Sequence, residues 1–121
     1  MRILKTRGYT DLVIAEPKDE SHTLPTMTAA ELRDVLRESD PPVVIDVRTE
    51  SEQSGGIIEG AILLEQDSAP EFAKEFDRTK RYAVICAGGF RSSQLASWMK
   101  RNGFKDVTNV IDGMWAWDEL D

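Results

Sequence analysis

Residues 82–93 read Tyr82-Ala83-Val84-Ile85-Cys86-Ala87-Gly88-Gly89-Phe90-Arg91-Ser92-Ser93. An apolar run ends at a cysteine, and two glycines separate it from Arg91. The segment from Arg91 to Asn102 then repeats Leu95, Trp98 and Met99 at helical spacing. Gly103 stands where a residue just past a helix end favours the left-handed conformation. This order predicts a strand, a tight connection and an amphipathic helix, the repeating unit of an α/β domain.

The same alternation extends outward in both directions. Thr28-Ala29-Ala30-Glu31 has the form of a capping box, and Leu32, Val35 and Leu36 follow at helical spacing, which predicts a helix over about 28–38. Asp40-Pro41-Pro42 stops it. Val43-Val44-Ile45-Asp46-Val47 is a short continuous apolar run of the kind buried on both faces of a parallel sheet. Residues 49–54 predict a short helix or turn broken by Gly55-Gly56, and residues 61–64 a second strand. Residues 70–76 predict a helix with Phe72, Ala73 and Phe76 on one face. Residues 107–110 predict the last strand and residues 114–120 the last helix. Residues 1–25 show no such order; with Leu12 to Ala15 as a short strand, they are read as an N-terminal arm or peripheral strand, and residues 26–121 as the domain.

Composition narrows the possible roles. The chain has 121 residues, about one ordinary domain, enough to bury roughly two thirds of the surface exposed when unfolded. No apolar run approaches the roughly 18–20 residues a membrane helix needs, so a soluble protein without a membrane partner is expected. Gly8, Tyr9, Thr10 and Asp11 interrupt the N-terminal apolar residues, unlike a secretory signal, and a cytoplasmic location is the default expectation. The net charge is −7, with basic residues scattered, which disfavours nucleic acid. One cysteine cannot make an internal disulfide, and with one histidine, His22 in the polar arm, a Cys/His metal site is not expected. No cofactor is expected either.

In an open parallel sheet, ligands bind beyond the carboxyl ends of the strands, and Cys86 stands at such an end. A lone cysteine there is more often packing than chemistry. The residues after it change the balance. Gly88 and Gly89 let the loop curl with its N–H groups inward, the start of the next helix adds positive potential, and Arg91 adds a planar donor fork. Such a cradle stabilises an anion and would favour the thiolate of Cys86, the nucleophilic form.

Three motifs resemble those of rhodanese-like sulfurtransferase domains. The first is Cys86-Ala87-Gly88-Gly89-Phe90-Arg91-Ser92 between strand and helix, which resembles the active-site loop. The second is Asp46-Val47-Arg48, with Glu52 after three residues and then Gly60-Ala61-Ile62. The third is Asn109-Val110-Ile111-Asp112-Gly113-Met114-Trp115-Ala116-Trp117, like the family's final strand and tryptophan helix. The resemblance covers about residues 26–120 and implies a three-layer fold, a mainly parallel sheet with helices on both faces.

It also implies roles. Cys86 would be the catalytic nucleophile, taking a sulfane sulfur from thiosulfate or an organic persulfide and passing it to cyanide or a thiol. The amides of Ala87, Gly88, Gly89, Phe90 and Arg91 would hold the persulfide, and the Arg91 side chain the anionic donor. Asp46 and Arg48 would be architectural. Glu52 would be structural too, tied to nearby backbone or to Arg48. The implied partners are a small-molecule sulfur donor and a thiol acceptor, which could be a protein, around a monomer or weak dimer. The alternative role is a weakly active or inactive binding module that docks a partner.

Two departures bear on substrate choice. Ala87 stands where many family members carry a basic residue, and Phe90 gives the rim an apolar side, a pairing that suits an organic persulfide or a protein better than thiosulfate. Phosphatases with a related loop place five residues between cysteine and arginine, whereas four intervene here, a ring for one sulfur atom rather than a phosphate. With no second thiol, sulfur must leave to an external acceptor. Trp98 is expected in the core; Trp115 and Trp117, two apart on one helix, cannot both face inward.

Overall fold

The computed structural model describes residues 24–120. The predicted strand over Leu12 to Ala15 lies outside them, as does His22. Five parallel strands form one sheet: β1 (Thr26–Met27), β2 (Val43–Asp46), β3 (Ile62–Leu63), β4 (Arg81–Ile85) and β5 (Asp106–Val110). Their order across the sheet is β1-β5-β4-β2-β3. The helices between and after them are α1 (Ala29–Val35), α2 (Glu50–Gln53), α3 (Ala69–Ala73), α4 (Phe90–Arg101) and α5 (Gly113–Trp117).

The continuous apolar runs form central strands because both of their faces are covered. On one face Ile45, Tyr82, Val84, Cys86 and Val107 pack against Ala69 and Ala73 of α3 and Leu95, Ala96 and Met99 of α4. On the other, Val44, Ala83, Ile85 and Val110 pack against Ala29 and Leu32 of α1 and Met114 of α5. Alternation along each strand sends successive side chains to opposite layers. Each fully buried Ile, Val or Leu contributes roughly 1.5–3 kcal/mol, so the two layers together supply the apolar drive for the fold.

Local chemistry sets the helix starts. The Thr28 hydroxyl accepts the Glu31 N–H at 3.1 Å while Glu31 accepts the Thr28 N–H at 2.8 Å, the box read from the sequence. A second box, not read there, opens α2: Thr49 Oγ1 accepts from the Glu52 N–H at 3.2 Å, and Glu52 Oε1 from the Thr49 N–H at 3.0 Å. Two readings need correction. Residues Leu36–Asp40 turn away after the short α1 rather than continuing it. Phe72 is 56% exposed, because the five-residue α3 turns Ala69 and Ala73 to the sheet and leaves Phe72, between them in the chain, on its outer side. Short β1 gives no pattern to read. Leu24 already packs on the α3/α4 layer, and the Pro25 carbonyl accepts the Asn109 N–H at 2.9 Å.

Trp98 is half-buried against the core beside Phe104, with ring centroids 6.5 Å apart. Among the described residues no helix is long and apolar enough to cross a membrane.

Candidate active site

The strand order creates the site. From β2 the chain moves outward to β3, whereas from β4 it moves the other way to β5, and β2 and β4 are neighbours. The connections therefore diverge beyond the carboxyl ends of these two strands and leave a crevice, the usual ligand position in open α/β sheets. Cys86 follows β4, and Asp46-Val47-Arg48 ends β2. The Val47 N–H donates to the Ile85 carbonyl at 3.0 Å, fixing one end against the other.

Cys86 Sγ lies at the bottom of its loop, 1% exposed as a residue. The Gly89 N–H donates to it at 3.1 Å and the Ser92 N–H at 3.3 Å, while the Ser92 hydroxyl lies 3.3 Å away, able to donate to a thiolate or accept from a thiol. Burial pushes the thiol pKa up. Hydrogen bonds from the Ser92 hydroxyl and from the Ser92, Gly89 and Gly88 backbone outweigh it, and the net shift is downward, toward the thiolate.

A buried chain supports this arrangement from behind. Asn109 of β5 donates from Nδ2 to the Gly89 carbonyl at 3.1 Å, and its Oδ1 lies 2.5 Å from the Ser92 hydroxyl, whose one proton goes to Oδ1 beside a Cys86 thiol and turns to the sulfur beside a thiolate. Ser92 and Asn109 were missed in the sequence. The signals were slight: a serine in the first turn of an amphipathic helix, and one polar side chain on the inward face of an otherwise apolar strand.

The curl depends on the segment that follows β5. Gly89 has φ +97°, and a β-carbon on it would lie 2.2 Å from the Ile111 carbonyl oxygen. Gly113, at φ +63°, would put one 2.3 Å from the Ala87 oxygen. The start of α5 is thus bound to the loop itself: the Met114 N–H donates to the Cys86 carbonyl at 2.8 Å and the Trp115 N–H to the Ala87 carbonyl at 3.0 Å. The Trp115 ring lies on Gly88, so that a β-carbon there would meet it at 2.7 Å. Of the two tryptophans left open by spacing, Trp115 flanks the loop and Trp117 packs on the α1 side.

Two arginine–carboxylate pairs occupy the crevice side. Arg48 is buried and donates to both Asp46 oxygens, at 3.1 Å and 2.9 Å, and to the Gly56 carbonyl at 2.7 Å. Arg91 forms a two-pronged pair with Glu52, at 2.8 Å and 3.1 Å. Of the two partners expected for Glu52, its carboxylate takes the neighbouring Thr49 backbone and adds Arg91, while Arg48 reaches only the Glu52 carbonyl, at 3.4 Å. The Arg91 hydrogen bond first, and the Thr49 backbone second, hold the Glu52 carboxyl down at about 2. The guanidinium of Arg91 is held protonated chiefly by Glu52, with a smaller contribution from the Cys86 sulfur.

A profile of the rhodanese-like domain matches residues 28–120. The chain belongs to the rhodanese-like family. The Bacillus subtilis protein named "Putative sulfurtransferase YtwF" is 33% identical over 92 residues, spanning 76% of this chain and 88% of its own length. "Putative sulfur carrier protein YrkF" of the same organism is 26% identical over 99 residues, and the match spans 82% of this chain but only 54% of YrkF. The crystal structure of a rhodanese-like domain protein from Staphylococcus aureus superimposes with a TM-score of 0.73 at 37% identity, covering 78% of this chain and 91% of that one. The expected rhodanese-like α/β architecture is therefore the observed one. Of the site residues read from the sequence, Cys86, Gly88, Gly89 and Arg91 come together with Glu52, whereas Asp46 and Arg48 form a separate pair among themselves. Phe90, at the mouth, is 72% exposed, and Ala87 is buried beneath it. Among the described residues no group of His, Cys, Asp and Glu could hold a metal ion.

Proposed function

We propose that this rhodanese-like domain is a sulfurtransferase in which Cys86 carries the sulfur. The observation that supports this best is the convergence of the Gly89 and Ser92 amides on Sγ at the end of β4. In the first half-reaction the Cys86 thiolate attacks the sulfane sulfur of a donor. A sulfur–sulfur bond forms at Cys86, and the donor's sulfur–sulfur bond breaks with its electron pair leaving on sulfite or on an organic thiolate. In the second, a thiol or cyanide attacks the outer sulfur, and Cys86 leaves as thiolate.

The loop suits both states. Thiolate and persulfide are anions, and backbone donors stabilise them without having to reorganise. The persulfide extends from Sγ toward the mouth, where the amides of Ala87, Phe90 and Arg91 complete the ring expected from the family. A single free thiol suits a reducing, cytoplasmic setting and requires an external acceptor, either a small thiol or a protein.

Intact-protein mass spectrometry after incubation with a sulfane donor tests this reading. The expected result is a gain of one sulfur atom, lost on adding cyanide, and absent together with all turnover in Cys86→Ser. A wild-type Cys86 that no donor loads would instead point to the docking-module alternative.

A further inference from the structure

The loop contains one cationic side chain, and it is already paired. Arg91 and Glu52 meet through two hydrogen bonds of 2.8 Å and 3.1 Å, and their side chains are 27% and 36% exposed. Glu52 is in turn fixed by the α2 capping box, at 3.0 Å from the Thr49 N–H. A carboxylate with two such partners stays ionised throughout the neutral range. The pair as a whole carries no net charge, within a chain of net charge −7.

Two classes of sulfane donor differ in where their charge lies. Thiosulfate carries two negative charges, shared between the sulfur to be transferred and the three oxygens of the sulfonate bonded to it, so it needs an uncompensated cation at the mouth. An organic persulfide puts carbon next to the leaving sulfur and holds any carboxylates several bonds away. Beside the cradle lie exposed apolar surfaces: Phe90 and Trp115, each 72% exposed, and Ile111, 46% exposed, with the Trp115 ring resting on Gly88. An apolar group seated on them removes area from water.

We propose that Glu52 selects the sulfur donor: by holding Arg91 it withholds the loop's one cation from doubly charged donors and leaves the cradle to organic persulfides that rest on Phe90 and Trp115. This rests on the reading of Cys86 as the sulfur carrier. Glu52 acts through Arg91 and is a positioning residue rather than a catalytic one. In the favoured step the Cys86 thiolate attacks the terminal sulfur of R–S–SH, and the Cys86–S–SH bond forms as R–S⁻ departs with the electron pair of the broken bond.

The test compares single-turnover loading of Cys86 by thiosulfate and by glutathione persulfide, read by quenched-flow mass spectrometry on the full chain. In the wild-type protein the second-order constant for glutathione persulfide exceeds that for thiosulfate by at least about a hundredfold, a ratio that depends on no variant folding. Glu52→Gln keeps an oxygen for the Thr49 N–H but removes the charge. It raises the thiosulfate constant at least about tenfold, as expected for one newly available charge-assisted contact, and changes the glutathione persulfide constant less than about threefold. Thr49→Val removes the capping hydroxyl, with its 3.1 Å hydrogen bond to Glu52 Oε1, but keeps the Glu52 charge, and changes the ratio less than about threefold. Near-equal wild-type constants, or a thiosulfate constant that stays level or falls in Glu52→Gln while glutathione persulfide still loads, overturn the proposal. Loading by neither donor overturns the sulfur-transfer reading itself and this inference with it.

Discussion

The ends of β2 and β4 lie side by side, and each carries an arginine–carboxylate pair, yet the two pairs have different consequences. At the end of β2, Arg48 and Asp46 are almost wholly buried, and the guanidinium is taken up by Asp46, Glu52 and Gly56. Beyond β4, Arg91 and Glu52 are about a third exposed and stand at the mouth above a buried sulfur. A buried pair whose every guanidinium nitrogen has a partner inside the protein fixes geometry. A pair at the rim, next to backbone donors that converge on a reactive atom, sets what may approach.

The comparison can be broken most severely at the buried pair. Arg48→Met leaves Asp46 as an uncompensated buried charge, and unfolding by denaturant should show a loss of about 3–5 kcal/mol. A loss below about 1 kcal/mol would mean that Asp46 finds other partners. Next in size is Gly89→Ala: with φ +97° and the Ile111 oxygen in the way, the loop must reopen, costing on the order of 2–3 kcal/mol and moving the amide off Sγ. Thermal melting and Cys86 alkylation should both report it, the former by a lower midpoint and the latter by a slower thiolate reaction.

Arg91→Met sharpens the contrast from the rim. An exposed pair is worth less than about 1 kcal/mol, so the melting point should hardly move, while persulfide loading falls severalfold or more. The pH dependence of the thiol comes next. Alkylation of Cys86 should titrate below the range of a free cysteine, and Ser92→Ala should shift that midpoint upward, since one hydrogen bond to the thiolate is lost. The smallest effect is acid sensitivity. The Glu52 carboxyl is depressed from 4.5 to about 2, so its stabilisation is fully present above about 4.5 and disappears as pH falls toward 2. Comparing wild type with Glu52→Gln across that window should show the stability difference closing by less than about 1 kcal/mol.

Legibility followed the range of the interactions. The 82–93 stretch could be read because strand, curl and helix depend on neighbours a few residues apart, as does the Thr28 box. The second box at Thr49 is equally local, yet residues 49–54 read only as a short helix or turn. Phe72 was misplaced because a helix of five residues makes too few turns for periodicity to define its buried face. The support that Asn109 gives to Gly89 and Ser92 crosses from β5 to the loop, and one asparagine in an apolar strand does not name its partner.

The sequence by itself determined a parallel α/β domain with Cys86 at a strand end, and a loop of four residues between that cysteine and Arg91. Those features are written in contiguous apolar runs, glycines and caps. Only the tertiary structure decided that Glu52 meets Arg91 across 39 positions, that Trp115 rather than Trp117 covers the loop, and that Ser92 and Asn109 support the sulfur. Each of these depends on which strands are neighbours and how their ends diverge, and packing of the whole sheet sets that relation.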